Sequence, residues 1–252
     1  MKQPCPPILR LESLSLQSPI VLAPLVREVS SVVRSGDRVA VVGAAGAGKT
    51  SLLRLLNRLS APTSGAIYLD DRDYQTLNPM ALRREITLVL QESKLLGMTG
   101  LDAIAYPLKL RGLDAEEIEK RVNLWIERLE IPGEWLGRSE VQLSATERQT
   151  IAIARGLAIE PRILVLDEPT TDLDRAQQKR LADILTHYRE GETAAIVATR
   201  HPDFAREFAT RVWHLQNGEL VGDSPAGNLD WKRLSESLQK NDSQMSREWD
   251  EL

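Results

Sequence analysis

Apolar and polar side chains first alternate over residues 8–33, with interruptions at Pro19 and Pro24. A period of two broken by prolines predicts short edge strands and turns. Ser35, Gly36 and Asp37 read as a turn, and after Arg38 four apolar residues run unbroken to Val42, as expected of a strand buried on both faces. A glycine-rich loop follows, and residues 51–59 then carry leucines at helical spacing. Further strands are predicted at 66–69, 86–90, 163–166 and 194–198. Helices are predicted at 144–159, around 175–188, and at 114–130, where Asp114 and Glu117 form a capping-box pattern and Ile118, Val122, Trp125, Ile126 and Leu129 share a face. Strands alternating with helices imply a mostly parallel sheet covered on both faces. From Gly222 onward Ser, Asp, Lys and Gln dominate, which predicts a loosely packed polar tail (223–252) with a short helix around 231–238.

Composition narrows the function. A chain of 252 residues is long enough for one large α/β domain or two small ones. Its 32 Lys and Arg against 36 Asp and Glu leave a formal charge of -4, so no nucleic-acid partner held through a basic surface is expected. Apolar runs such as 39–42 and 163–166 fall far short of the roughly 20 residues that cross a bilayer. One cysteine, Cys5, among early prolines supplies neither a disulfide framework nor an export signal, and a reducing cytoplasm is expected.

The chemistry begins in the glycine-rich loop. Gly43, Ala44, Ala45, Gly46, Ala47, Gly48, Lys49 and Thr50 fit the pattern G-x-x-x-x-G-K-[ST]. Glycines let successive N–H groups turn toward phosphates, Lys49 reaches the outer phosphates, and the Thr50 hydroxyl suits a Mg²⁺ ion. Ser51, at the start of the helix, completes the candidate phosphate-binding set. Chance would produce such a pattern in roughly 1% of chains of this length, and the flanking strand and helix make an accident less plausible still. The strand at 163–166 runs into Asp167 and Glu168. At a sheet's carboxyl edge Asp167 is placed to hold the water shell of the same Mg²⁺, and Glu168 to orient or deprotonate an attacking water. Taken alone, an acid ending a strand is equally well a helix cap.

The order of segments then resembles the ATP-binding cassette (ABC) ATPase family: a phosphate loop, a lone glutamine, an L-S-G-G-Q signature, an acidic strand followed by glutamate, an S-A-L-D-type loop and a histidine switch. The matching residues are Gly43 to Thr50, Gln91, Leu143 to Glu147, Asp167 with Glu168, Thr171 to Asp174, and His201. The resemblance runs from about residue 8 to 221. It implies an α/β P-loop NTPase fold, with a RecA-like core of mostly parallel sheet, an antiparallel β subdomain and an inserted α-helical subdomain at about 92–142, all within a nucleotide-binding domain of residues 1–222. It also implies ATP and Mg²⁺, with Thr50, Gln91 and Asp167 around the metal and Glu168, Gln91 and His201 in catalysis. In the family two subunits pair head to tail, so Ser144, Ala145, Thr146, Glu147 and Asp174 would face the nucleotide of a second ABC ATPase chain, homologous or identical. An integral membrane transporter subunit is the other implied partner, which puts the chain on the inner face of the membrane. The apolar stretch Leu95, Leu96, Gly97, Met98, Leu101, Ile104, Tyr106 and Leu108 serves either that docking or a plain subdomain core.

Departures from the family pattern shape the expectation. No aromatic residue precedes Tyr68, so adenine is expected to rest on aliphatic side chains around Ile20. The signature reads Leu143, Ser144, Ala145, Thr146, Glu147, without either glycine or the glutamine, and Asp172 adds a carboxylate nearby. Slow turnover is expected. Two other readings stay open: a weak regulatory cassette in a heterodimer, and an ABC ATPase acting outside transport. His187 and His214 are expected to be ordinary surface or packing residues.

Overall fold

The computed structural model describes residues 6–18 and 23–250, with the surroundings of side chains through residue 240. Two sheets organise it. A four-stranded antiparallel sheet is built from β1 (Pro7–Gln17), β2 (Pro24–Arg34), β4 (Ser64–Leu69) and β5 (Arg72–Asp73), in the order β2-β1-β4-β5. The second sheet holds β3 (Arg38–Val42), β6 (Ile86–Val89), β7 (Ile163–Asp167), β8 (Ala194–Thr199), β9 (Arg211–Gln216) and β10 (Glu219–Pro225). Its order is β10-β9-β3-β8-β7-β6, with every pairing parallel except the β10 edge.

The unbroken apolar strands are explained by this sheet having a core on each face. In β3, Val39 and Val41 face one core, and Ala40 and Val42 face the other. The same alternation continues through Ile163/Val165 against Leu164/Leu166 in β7. One core lies under the antiparallel sheet and α1 (Lys49–Leu56), whose Leu52, Leu53, Leu55 and Leu56 are buried there. The other core packs a helical lobe inserted between β6 and β7. That lobe consists of α3 (Gly100–Leu110), α4 (Ala115–Arg128), the single turn α5 (Gly133–Leu136) and α6 (Ala145–Ala158). Completing the helices are α2 (Pro79–Glu85), α7 (Arg175–His187), α8 (Pro202–Phe208) and α9 (Trp231–Asp250).

Two expectations change. Residues 8–33 do not form short pieces: β1 and β2 are eleven residues each, and register shifts along their ladder absorb the irregular alternation. Helix α3 falls within the span implied to be helical, at a place where the residue pattern alone marks no helix; it tolerates Pro107 in its last turn, and Thr99 caps its start by accepting the Asp102 N–H. From Gly222 to residue 240 the chain is not loosely packed. Strand β10 continues to Pro225, and α9 anchors itself by burying Leu234 and Leu238 against the second core, with Trp231 packed on it. The helix runs on to Asp250, far beyond the short one expected around 231–238. Among the described residues no helix is long and apolar enough to cross a membrane.

Candidate functional site

Parallel pairing of β3, β8 and β7 brings three strand ends to one edge of the sheet, where loops can converge on a ligand. β3 delivers the phosphate loop, β7 delivers Asp167 and Glu168, and β8 delivers Thr199 and Arg200. Between them lies a cleft of about 320 Å³, lined by Leu25, by the loop from Ala45 through Ser51, and by Gln91, Glu168 and Arg200. The loop backbone is tight enough to require glycine. A Cβ on Gly43 would come within 2.5 Å of the Leu215 carbonyl, and Gly48 has φ 96° with the Leu25 carbonyl 2.3 Å from where its Cβ would stand. Gly48 also precedes α1, so the N-terminal turn of that helix opens into the cleft.

Lys49, Asp167 and Glu168 are paired and nearly sealed from water. Lys49 Nζ donates to the carbonyls of Gly43 at 2.7 Å and Ala44 at 3.0 Å, and stands 3.3 Å from Glu168 Oε1. Burial pulls the Lys49 ammonium below its usual range, and the Glu168 carboxylate beside it opposes that shift. Thr50 Oγ1 donates to Asp167 Oδ1 at 3.1 Å. Burial raises the Asp167 carboxyl above the usual range, and the Thr50 hydrogen bond partly offsets it. Glu168 sits in the left-handed region at φ 45°, a conformation that costs a non-glycine residue of order 1–3 kcal/mol and is found where surrounding structure holds it. Here the holding bonds are Glu168 N–H to the Ala198 carbonyl at 2.9 Å and Arg200 N–H to Glu168 Oε2 at 3.1 Å.

These residues fit a magnesium nucleotide. Lys49 and the loop would hold phosphates, and Thr50, Asp167 and Gln91 offer oxygen donors, the hard ligands that Mg²⁺ takes. Among the described residues no group of three or more His, Cys, Asp or Glu could hold a metal unaided, so a cation here would draw on phosphate oxygens as well.

Other expected residues fall elsewhere. Gln91 follows β6, its amide nitrogen 3.5 Å from Thr171 Oγ1, and it lines both this cleft and a second one of about 240 Å³. The second cleft is bounded by Ala145, Arg148, Gln149 and Asp172, on the side of the signature. Ser144 and Glu147 form the expected capping box: Ser144 Oγ accepts Glu147 N–H at 3.2 Å, and Glu147 Oε2 accepts Ser144 N–H at 2.7 Å. The carboxylate at Glu147 is also paired with Arg138 at 3.2 Å. Thr146 Oγ1 donates to the Asp172 carbonyl at 2.8 Å, which ties the signature to the loop after β7. None of Ser144, Ala145, Thr146 and Glu147 lines the phosphate-loop cleft of this chain. Asp174 caps α7 by accepting Gln177 N–H at 2.8 Å.

His201 is exposed at the start of α8 and does not line the cleft, whereas Arg200, one residue earlier, does. No sequence motif singles out Arg200. The signal available was its place directly after Thr199, the last residue of β8, where the strand hands its next side chain to the sheet edge. Ile20 lies outside the described residues, and Leu25 is an aliphatic side chain that lines the cleft. His187 is exposed, with Nδ1 2.8 Å from the Asp183 carbonyl, and His214 lies within β9, where burial lowers its pKa.

The family model described as "ABC transporter" matches residues 26–171. The lipoprotein-releasing system ATP-binding protein LolD of Aquifex aeolicus is 33% identical over 204 residues, covering 79% of this chain and 90% of that protein. The methionine import ATP-binding protein MetN of Caulobacter vibrioides is 34% identical over 203 residues, covering 79% of this chain and 61% of that longer one. Among solved structures, the dimeric post-hydrolysis state of the ATP-binding cassette MJ0796 bound to ADP and Pi superposes with a TM-score of 0.79 at 25% identity, covering 86% of this chain and 98% of that one.

Proposed function

Because this chain belongs to the ABC transporter family of ATP-binding cassettes, we propose that it binds and hydrolyses MgATP to drive a separate membrane-embedded transporter subunit from the cytoplasmic face. The observation that carries this reading is the convergence of Lys49, Thr50, Asp167 and Glu168 at one sheet edge beside the tight glycine loop.

The roles follow from chemistry. Lys49 gives its charge to the outer phosphates while the loop N–H groups hold the others. Thr50 and Asp167 hold the cation, with Gln91 at its margin. Bound there, Mg²⁺ neutralises charge that builds on the phosphate oxygens. Glu168 accepts the proton of the water whose oxygen bonds to the γ-phosphorus as the bond to the bridging oxygen of ADP breaks. Ser144, Ala145, Thr146 and Glu147 act on the nucleotide of a second cassette, head to tail, with the N-terminus of α6 directed at its phosphates. Support for pairing comes from their absence from this chain's own cleft and from the dimeric MJ0796 cassette. Ala145 and Thr146 in place of glycines make this signature a slow one.

The helical lobe supplies the surface for the membrane subunit. Leu95, Ile104 and Leu108 are fully buried in its core, but Leu96, Leu101, Tyr106 and Leu110 remain exposed. They offer apolar contacts close to Gln91 in sequence, the residue that borders the cleft. LolD belongs by its name to a releasing system and MetN to an import system, so the direction of transport stays open. The test is steady-state phosphate release by the purified chain with MgATP, alongside affinity purification from solubilised membranes. A polytopic membrane protein is expected in the eluate. Absence of hydrolysis that depends on Lys49, or a tagged chain that never leaves the soluble fraction, sinks the proposal.

A further inference from the structure

Resting on the reading of the cleft as a nucleoside triphosphate site, we propose that Arg200, not His201, reads the terminal phosphate, by exchanging its carboxylate partner Glu168 for a phosphate oxygen. Arg200 Nε stands 3.5 Å from Glu168 Oε1, the same oxygen that lies 3.3 Å from Lys49 Nζ. One carboxylate is thus shared by two cations that approach it from different strands, Lys49 after β3 and Arg200 after β8. The Glu168 side chain is 5% exposed, whereas that of Arg200 is 40% exposed and lines the cleft. The guanidinium is therefore the movable member of the trio.

Its backbone is fixed even though its side chain is not. Arg200 N–H is bonded to Glu168 Oε2, and the preceding Thr199 is completely buried, its hydroxyl accepting the His201 N–H at 3.0 Å. That last bond belongs to the turn that starts α8, where the His201 carbonyl accepts Ala205 N–H and Pro202 takes the first helical position. His201 is spent on opening a helix, and its ring gets no side-chain capping bond there. Arg200 is left as the group that β8 presents to the cleft.

A guanidinium suits the exchange because it carries several donors in a fixed fork that matches phosphate oxygens. A terminal phosphate competes with Glu168 for that fork and for Lys49. Its arrival leaves Glu168 without its cationic partners, free to take a proton from water. ADP lacks the competing group, so discrimination between the two nucleotides follows from Arg200.

The experiment is a pair of equilibrium titrations in Mg²⁺, one with ADP and one with the non-hydrolysable β,γ-imido analogue of ATP, on the full chain and its variants. Arg200→Ala is expected to lose about 10- to 100-fold in affinity for the analogue, as for one charge-assisted hydrogen bond, while ADP affinity stays within about twofold. Arg200→Lys recovers part of the loss, and His201→Ala moves neither ligand by more than about twofold. Thermal unfolding of Arg200→Ala near the wild-type midpoint separates lost contact from lost fold. A variant at 200 that shifts both ligands equally, or neither, overturns the inference, as does a selective loss in His201→Ala. Lys49→Ala reports on the parent reading separately, since it should weaken both ligands. A wild type that binds neither nucleotide removes that reading and this one together.

Discussion

The two stretches that would touch nucleotide, the phosphate-loop cleft and the signature, are built on opposite principles. In the cleft, Lys49, Glu168 and Asp167 are almost fully buried, and each finds its partners within this chain. At the signature, Ser144 and Ala145 are exposed, and the bonds made there close a helix cap or reach the loop at Asp172. The first carries its chemistry and its electrostatic cost inside one fold. On the proposed reading the second is one wall of a site whose other wall a second cassette supplies. Charge buried in advance is dear but ready, while an exposed helix terminus costs little and does nothing until something docks on it.

The sharpest way to break that contrast is at Glu168. If the cleft is chemically complete apart from the signature wall, Glu168→Gln should slow steady-state hydrolysis by roughly 10²- to 10⁴-fold, the range for losing a general base, while nucleotide still binds. With the signature untouched, the variant should accumulate a nucleotide-bound dimer on sizing chromatography in MgATP. Hydrolysis at the original rate would move the base elsewhere. Next in size is Lys49→Ala. Loss of a buried, doubly bonded cation should weaken MgATP binding by about a hundredfold, from one or two charged hydrogen bonds, without unfolding the chain. Circular dichroism and a calorimetric titration read both, and unchanged affinity would remove the phosphate-loop assignment.

The same contrast explains what could be read from sequence. The loop, its strand and its helix are contiguous, so Gly43 through Thr50 carry their geometry in their own spacing. Asp167 and Glu168 are ambiguous on their own, since an acid ending a strand also caps helices, and become legible only together with the upstream loop. Arg200 was missed because its meaning depends on Glu168, 32 residues away in sequence, and an arginine beside a histidine looks like a surface pair until the strands are paired. Helix α3 was hidden by Pro107 and by apolar residues divided between the lobe core and its surface. Among the described side chains, α9 is anchored by Trp231, Leu234 and Leu238, too few to outweigh a polar composition when only local sequence is weighed. The hydrogen bond between Thr146 and Asp172 joins two departures that sequence showed separately and could not connect.

A third prediction concerns the cost stored in the cleft. A carboxyl whose folded pKa lies above its unfolded one binds more protons folded than unfolded between the two values, so its contribution to stability worsens as pH rises through that window and is fully unfavourable above it. Asp167 is such a group, raised by burial. At neutral pH and without Mg²⁺, Asp167→Asn should therefore stabilise the chain by on the order of 1 kcal/mol, or about 2–4 °C in midpoint for a chain this long. The gain should shrink as pH falls toward the unfolded carboxylate range. Asp172→Asn, on the exposed side, should shift the midpoint by no more than about 0.5 kcal/mol. Scanning calorimetry decides it, and a destabilised Asp167→Asn would mean that the Thr50 bond and nearby Lys49 outweigh the burial cost.

The smallest expected effect lies at the signature, where two terms oppose each other. Ala145 and Thr146 each place a Cβ where a glycine would let a phosphate approach the helix terminus, and both keep the N–H donor. Relief of that bulk should speed turnover, since phosphoryl transfer depends on positioning and charge stabilisation. Thr146 differs from Ala145 in one respect: its hydroxyl holds the Asp172 carbonyl at 2.8 Å, and so fixes the loop that leads from Glu168 to the α7 cap at Asp174. An exposed hydrogen bond of this kind contributes about 0.5–1.5 kcal/mol, enough to offset much of what removing one side chain gains. Ala145→Gly alone should therefore raise steady-state ATPase, Thr146→Gly alone should change it little, and the double variant should exceed wild type by only about 2- to 10-fold, the rate equivalent of a term that size. Thr146→Ser, which keeps the hydroxyl with less bulk, should outperform Thr146→Gly. Rates at saturating MgATP rank the four variants. If Thr146→Gly proves as fast as Ala145→Gly, the bond to Asp172 has no kinetic role; if no variant exceeds wild type, the backbone already accommodates the bulkier residues and the signature is not slow.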